Sequence, residues 1–152
     1  MKIGLFVLIG IVLGYIVKWM VNWLAIDNFI LSRKNFFFEA VGALMLTWSA
    51  VNLGIEEAII FSIIALTLAG ISVIDFHTFE IPLIFIIIGV VASIAGILLK
   101  VIFLSAAFWG IFVGALIPLA IMLILWAITK RQGMGYGDIQ LGIVLGAWLG
   151  PM

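Results

Sequence analysis

An all-α, polytopic bundle of transmembrane helices, about six spans with the last one truncated, is the fold this chain predicts, and three observations predict it. Of its 152 residues 67% are hydrophobic and 9% charged, with a mean hydropathy of +1.47; soluble domains average about half apolar and a quarter charged. The apolar residues fall into runs separated by short polar intervals, and the runs are too long for barrel strands. In lipid, only helices and closed barrels satisfy every backbone group, so long runs mean helices.

Charge and cysteine usage narrow the chemistry further. The formal net charge is zero, which gives no electrostatic case for nucleic acid and leaves the lipid bilayer as the surroundings. The absence of cysteine excludes disulfides, a thiol nucleophile and cysteine-ligated zinc. With a single histidine, His77, no metal site is expected.

Lys2 precedes the run Ile3 to Val17, which begins like a signal peptide. Hydrophobicity resumes past Lys18 through Trp19 to Ile26, however, and no A-x-A-like cleavage site closes it. A retained helix is expected, with Tyr15, Lys18, Trp19 and Trp23 near an interface, where aromatic rings and snorkelling lysines settle. The polar interval Asp27 to Asn35 carries Arg33 and Lys34, and the second run, Phe36 to Leu53, is interrupted by Glu39. An acid there is a functional candidate. Lying about one turn from the polar loop, it is equally a side chain able to face headgroups, and that is the expectation here.

Glu56 and Glu57 are expected in a solvated turn before the third run, Ala58 to Ile74. That run ends at Asp75, and Asp75-Phe76-His77-Thr78-Phe79-Glu80-Ile81-Pro82 forms a dense polar cluster. Pro82 biases Ile81 away from helix and suits the first turn of the next span, Leu83 to Leu99. His77 and Glu80 are expected at the surface. After Lys100 the run Val101 to Ile128 is long enough to span with tilt, with a kink expected at Pro118.

Lys130 and Arg131 close that span before Gly133-Met134-Gly135-Tyr136-Gly137-Asp138-Ile139-Gln140-Leu141, where three glycines alternate and a carboxylate opens the last apolar run. Glycine at this density signals unusual backbone conformations or close approach of another segment. A phosphate-cradling turn would need a preceding strand and a βαβ unit, which are missing. An aspartate that simply caps the next helix is the stronger structural alternative. The last run is shorter than the roughly 20 residues a span needs. The chain, 1–152, is therefore expected to form one membrane-embedded domain that is incomplete at its C-terminus.

Each crossing changes the side on which the next loop emerges, so the intervals at 27–35, 75–82 and 129–138 share one side. They carry Arg33, Lys34, Lys130 and Arg131, against Lys2, Lys100 and the Glu56–Glu57 pair on the other. The positive-inside bias makes the first set cytoplasmic. Asp75 and Asp138 thus come to the same membrane face. Two carboxylates brought close share one proton and titrate as a unit. One member can then take a proton from water while the other polarises a peptide carbonyl, which is amide hydrolysis without a covalent intermediate.

These residues resemble the type IV prepilin peptidases, membrane aspartyl proteases of the GxGD class. Gly135-Tyr136-Gly137-Asp138 is similar to the motif that names the class. Asp75, followed by Ile81-Pro82, is similar to the segment around the family's other catalytic aspartate, and Phe38-Glu39-Ala40-Val41-Gly42 resembles the glutamate-containing entry to its second span. The resemblance implies that Asp75 and Asp138 form the catalytic pair, with Gly135, Gly137, Pro82 and Glu39 as supporting residues. It implies cleavage of the leader from prepilin or pseudopilin precursors at the cytoplasmic face of a multi-pass inner-membrane protein. The peptidase step implies no cofactor; S-adenosylmethionine is implied only if the family's N-methyltransferase activity is retained. The cytoplasmic insert with a zinc-binding cysteine set is missing, as in compact members. Leu83 and Gln140 stand where the family commonly has Asp or Asn and Lys.

Two other functions compete. A small transporter or channel would use the same intramembrane acids to bind ions or protons. A noncatalytic pilin-assembly component would bind precursors without cutting them.

Overall fold

The computed structural model describes residues 2–130 and 135–150, and all the regular structure in them is helical. In chain order the helices are α1 (Lys2–Leu24), α2 (Phe37–Asn52), α3 (Ile55–Thr78), α4 (Leu83–Leu98), α5 (Leu104–Thr129) and α6 (Tyr136–Leu149), with one 3-10 turn at Ile26–Asn28. Three are long and apolar enough to cross a membrane: α1 over Ile3–Leu24, α3 and α5. At about 1.5 Å per residue these cover roughly 33–39 Å, against a hydrocarbon core of about 30 Å. α2 and α4 have 16 residues each and α6 has 14, or about 21–24 Å.

The chain divides into two compact units, Met1–Glu80 and Ile81–Met152. In the first, α1 and α2 meet along a seam of glycines. A Cβ added at Gly14 would lie 2.1 Å from Phe38 O, and one at Gly42 would lie 2.2 Å from Gly10 O. Lipid offers no hydrophobic drive between helices, so small residues that let backbones approach and gain dispersion contact hold such pairs together. α2 meets α3 around a buried hydroxyl pair, Ser49 Oγ and Ser62 Oγ, 3.2 Å apart, each also bonded to a helical carbonyl one turn back.

The second unit repeats the device between α5 and α6. A Cβ at Gly110 would be 1.9 Å from Gly146 O, and one at Gly114 would be 2.1 Å from Gly142 O. Pro118 sits inside α5, which continues through it. Proline has no N–H to offer the carbonyl four residues back, here that of Gly114. Gly142 covers that carbonyl closely enough that its own Cβ would lie 2.3 Å away. α4 packs on α6 where Gly89 lies under Val144.

Three boundaries differ from the expected runs, each for a local reason. α3 begins at Ile55, so Glu56 and Glu57 occupy its first turn and not a loop. Acids are favoured there by the helix dipole, and Glu57 Oε2 accepts the Gly54 N–H at 3.2 Å. The same helix continues past Asp75 to Thr78. α5 starts at Leu104 rather than Val101, after Lys100 takes a left-handed conformation with φ 59°.

Candidate functional site

Asp75 lies one turn inside the C-terminal end of α3, exposed on a regular helical frame. The helix outlasts the apolar run because polar side chains bond back to it. His77 Nδ1 is 2.8 Å from Val73 O, and Thr78 Oγ1 donates to Ile74 O at 2.9 Å. The chain leaves the helix at Phe79, φ 55°, whose N–H donates to Asp75 O at 2.9 Å. The His77 ring also stacks on Phe29, centroids 4.1 Å apart, which pins the loop after α1 beside the end of α3.

Asp138 is the third residue of α6, whose N-cap is Gly135. Its Oδ2 accepts the Gly135 N–H at 3.1 Å. The carboxylate therefore does cap the helix, from the third position and not as the N-cap residue itself, and glycine has no side chain to return the bond. Asp138 is only partly covered.

The two motif glycines within the described residues differ in what they allow. Among the described residues, a Cβ at Gly135 would meet Asp138 Oδ2 at 3.6 Å and Gly137 N at 3.9 Å, both ordinary contacts. At Gly137 it would press to 3.1 Å from Ile81 Cβ, so this glycine lets the start of α6 close on the Ile81-Pro82 step. Pro82 is buried as the N-cap of α4, its carbonyl accepting the Phe85 N–H at 3.1 Å. Gly133 and Arg131 lie outside the described residues, as does the side chain of Lys2.

Glu39 does not face headgroups. It is buried in the first turn of α2, and its Oε1 lies 3.0 Å from Nζ of Lys18, which is buried too and does not snorkel. Lys18 also donates to the carbonyls of Arg33 and Asn35, so its three N–H groups are all engaged. An isolated charge is costly to bury, whereas a paired one is tolerated; the Lys18 ammonium is fully bonded, while Oε2 of Glu39 is buried without a hydrogen-bond partner among the described residues. The signal was present in the sequence: opposite charges in neighbouring apolar runs are a pair waiting for a geometry. Tyr15, Trp19 and Trp23 are exposed, as interfacial aromatics should be.

Glu39 and Asp75 thus belong to the first unit, and Pro82, Gly135, Gly137 and Asp138 to the second. Leu83 and Gln140 are exposed apolar and polar side chains at the first and fifth positions of α4 and α6. Among the described residues no group of three or more His, Asp or Glu side chains is placed to hold a metal ion.

A model of the type IV leader peptidase family matches residues 59–152, from the first turns of α3 through α6. The chain belongs to that family. No curated protein and no solved structure matches it. The matched stretch contains Asp75, Ile81-Pro82 and Gly135 to Asp138, while Lys18 and Glu39 precede it. Family membership and the three apolar helices together make this leader peptidase relative a membrane protein.

Proposed function

We propose that this leader peptidase relative is an aspartic endopeptidase that cuts leader peptides from prepilin-like or pseudopilin-like precursors, with Asp75 and Asp138 as its catalytic pair. The observation that carries the reading is that one family match spans both aspartate segments. The fit of Gly137 against Ile81 supports it, since Ile81 follows Asp75 closely in sequence and Gly137 adjoins Asp138.

In this reaction one carboxylate takes a proton from water as its oxygen attacks the scissile carbonyl, and the other, protonated, donates to that carbonyl oxygen. Collapse of the tetrahedral species breaks the C–N bond, and the proton taken from water passes to the leaving amine. Only water is consumed, so no step runs through S-adenosylmethionine. The scheme takes each of α1 to α5 as one crossing, the 16-residue α2 and α4 included, so that Arg33, Lys34 and Lys130 share one face, which the positive-inside bias makes cytoplasmic. Both aspartates work at that face in this scheme.

The test is cleavage of a purified prepilin-type precursor by the protein in detergent. Asp75→Asn and Asp138→Asn are each expected to lower the rate at least about a hundredfold, the usual contribution of a positioned acid or base, with insertion intact. Retained cleavage in either variant overturns the assignment.

A further inference from the structure

The face of α1 that continues past the glycine seam changes character along its length. Its middle borders a recess of about 530 Å³ lined by Ile11, Val12, Tyr15, Phe36, Ala40 and Ala43, with Glu39, buried and paired to Lys18, at its wall; the surface it offers is almost wholly apolar. One and two turns further on, Tyr15, Lys18, Trp19, Asn22 and Arg33 line a second recess of about 410 Å³ whose walls are about half polar. Tyr15 lines both, so the two recesses are neighbours along α1. From Ile11 to Asn22 the helix rises roughly 16 Å, with hydrocarbon walls at one end and donors at the other.

The charge in this groove is uneven. Lys18 has its ammonium protons engaged and its charge balanced by Glu39. Arg33 is exposed and, among the described residues, its side chain has no partner. It is therefore the uncompensated cation of the polar end, flanked by the hydroxyl of Tyr15 and the indole of Trp19, while the Asn22 amide is held by the Leu31 backbone. Tyr15 and Trp19 are 59% and 57% exposed, amphipathic rings of the kind that sit at headgroup level.

From this gradient we infer that the groove on α1 is a binding site for an anionic phospholipid, its phosphate on Arg33 and one acyl chain lying along Ile11, Val12, Ala40 and Ala43. The small residues of α2 leave room for the chain, and the polarity runs from mid-helix to the loop as a lipid's does from tail to headgroup. A peptide would not need the apolar end to lie deeper in the span than the charge. The inference concerns the first unit alone and does not depend on the peptidase reading.

Native mass spectrometry of the full chain, released from detergent in the presence of phosphatidylglycerol or phosphatidylcholine, tests it. The expected result is preferential retention of phosphatidylglycerol. Arg33→Gln should weaken that retention roughly fivefold, as removal of one cation near a lipid phosphate does. Ala40→Leu, which fills the apolar recess, should weaken retention of both lipids. Inorganic phosphate in excess should leave the lipid bound. Equal retention of the two lipids, indifference to both substitutions, or displacement by phosphate alone would each overturn the proposal. So would lipid-free dimers that Ala40→Leu converts to monomers, since a second copy would then occupy the groove.

Discussion

Lys18 and Glu39 form an ion pair 3.0 Å long with both side chains at least nine-tenths covered, between two helices whose backbones touch through glycine. Lys18 reaches across to the carbonyls of Arg33 and Asn35 as well, so one ammonium ties α1 to the whole polar loop and to the entry of α2. Breaking such a pair leaves a buried charge uncompensated, typically at a cost of about 3–5 kcal/mol. Glu39→Leu alone should therefore destabilise the protein by about that much in reversible unfolding from mixed micelles. Lys18→Met with Glu39→Leu should recover at least half of the loss, and a double variant no better than the single would show that the carbonyl bonds matter more than the charge pair.

The α5–α6 seam makes a second prediction, with a control built in. Gly110→Ala and Gly146→Ala each thrust a methyl group at a backbone carbonyl about 2 Å away, and overpacking of this kind costs about 1–3 kcal/mol or more. Gly4→Ala meets nothing within 4 Å and should leave unfolding unchanged or slightly improved. Thermal unfolding in detergent, followed by far-ultraviolet circular dichroism, separates the two classes.

Gly135 and Gly137 should differ sharply in leader cleavage, although the motif treats them alike. Gly135→Ala has space, whereas Gly137→Ala must displace Ile81, whose Cβ, Cδ1 and Cγ1 crowd the new methyl at 3.1–3.5 Å. A loss of kcat/KM of about tenfold is expected for Gly137→Ala, the equivalent of about 1.4 kcal/mol, and little for Gly135→Ala. Ile81→Ala removes two of the three crowding atoms and should restore part of the activity. Equal losses at the two glycines would contradict the contact.

Asp138 serves the helix as well as the proposed chemistry, and substitution can separate the roles. Asn retains an oxygen for the Gly135 N–H, so Asp138→Asn should unfold like the wild type yet fail to cut. Asp138→Ala should also fail to cut and lose about 1 kcal/mol of stability, the usual worth of a helix cap. Unfolding and cleavage measured on the same preparations decide the matter.

Hydropathy alone was enough to read six helical segments, because transfer of each side chain into lipid is a local property that sums along the run. The aspartate segments were equally legible, being short patterns of residue type: Asp75 before Ile81-Pro82, and Gly135-Tyr136-Gly137-Asp138. Helix ends were less so. Glu57 and His77 looked like loop residues, yet hydrogen bonds from those side chains carry α3 past both limits of its apolar run.

What meets what was settled only by the tertiary structure. Glu39 read as a side chain bound for headgroups because nothing in its own neighbourhood answers its charge; Lys18, 21 positions earlier, does. The contact of Gly137 with Ile81 joins residues still farther apart in the chain. Hydrophobicity fixes that a helix enters the bilayer but not its rotation about its own axis. That rotation follows from which glycines let two backbones close to van der Waals contact, and it decides which polar side chains are left facing each other inside.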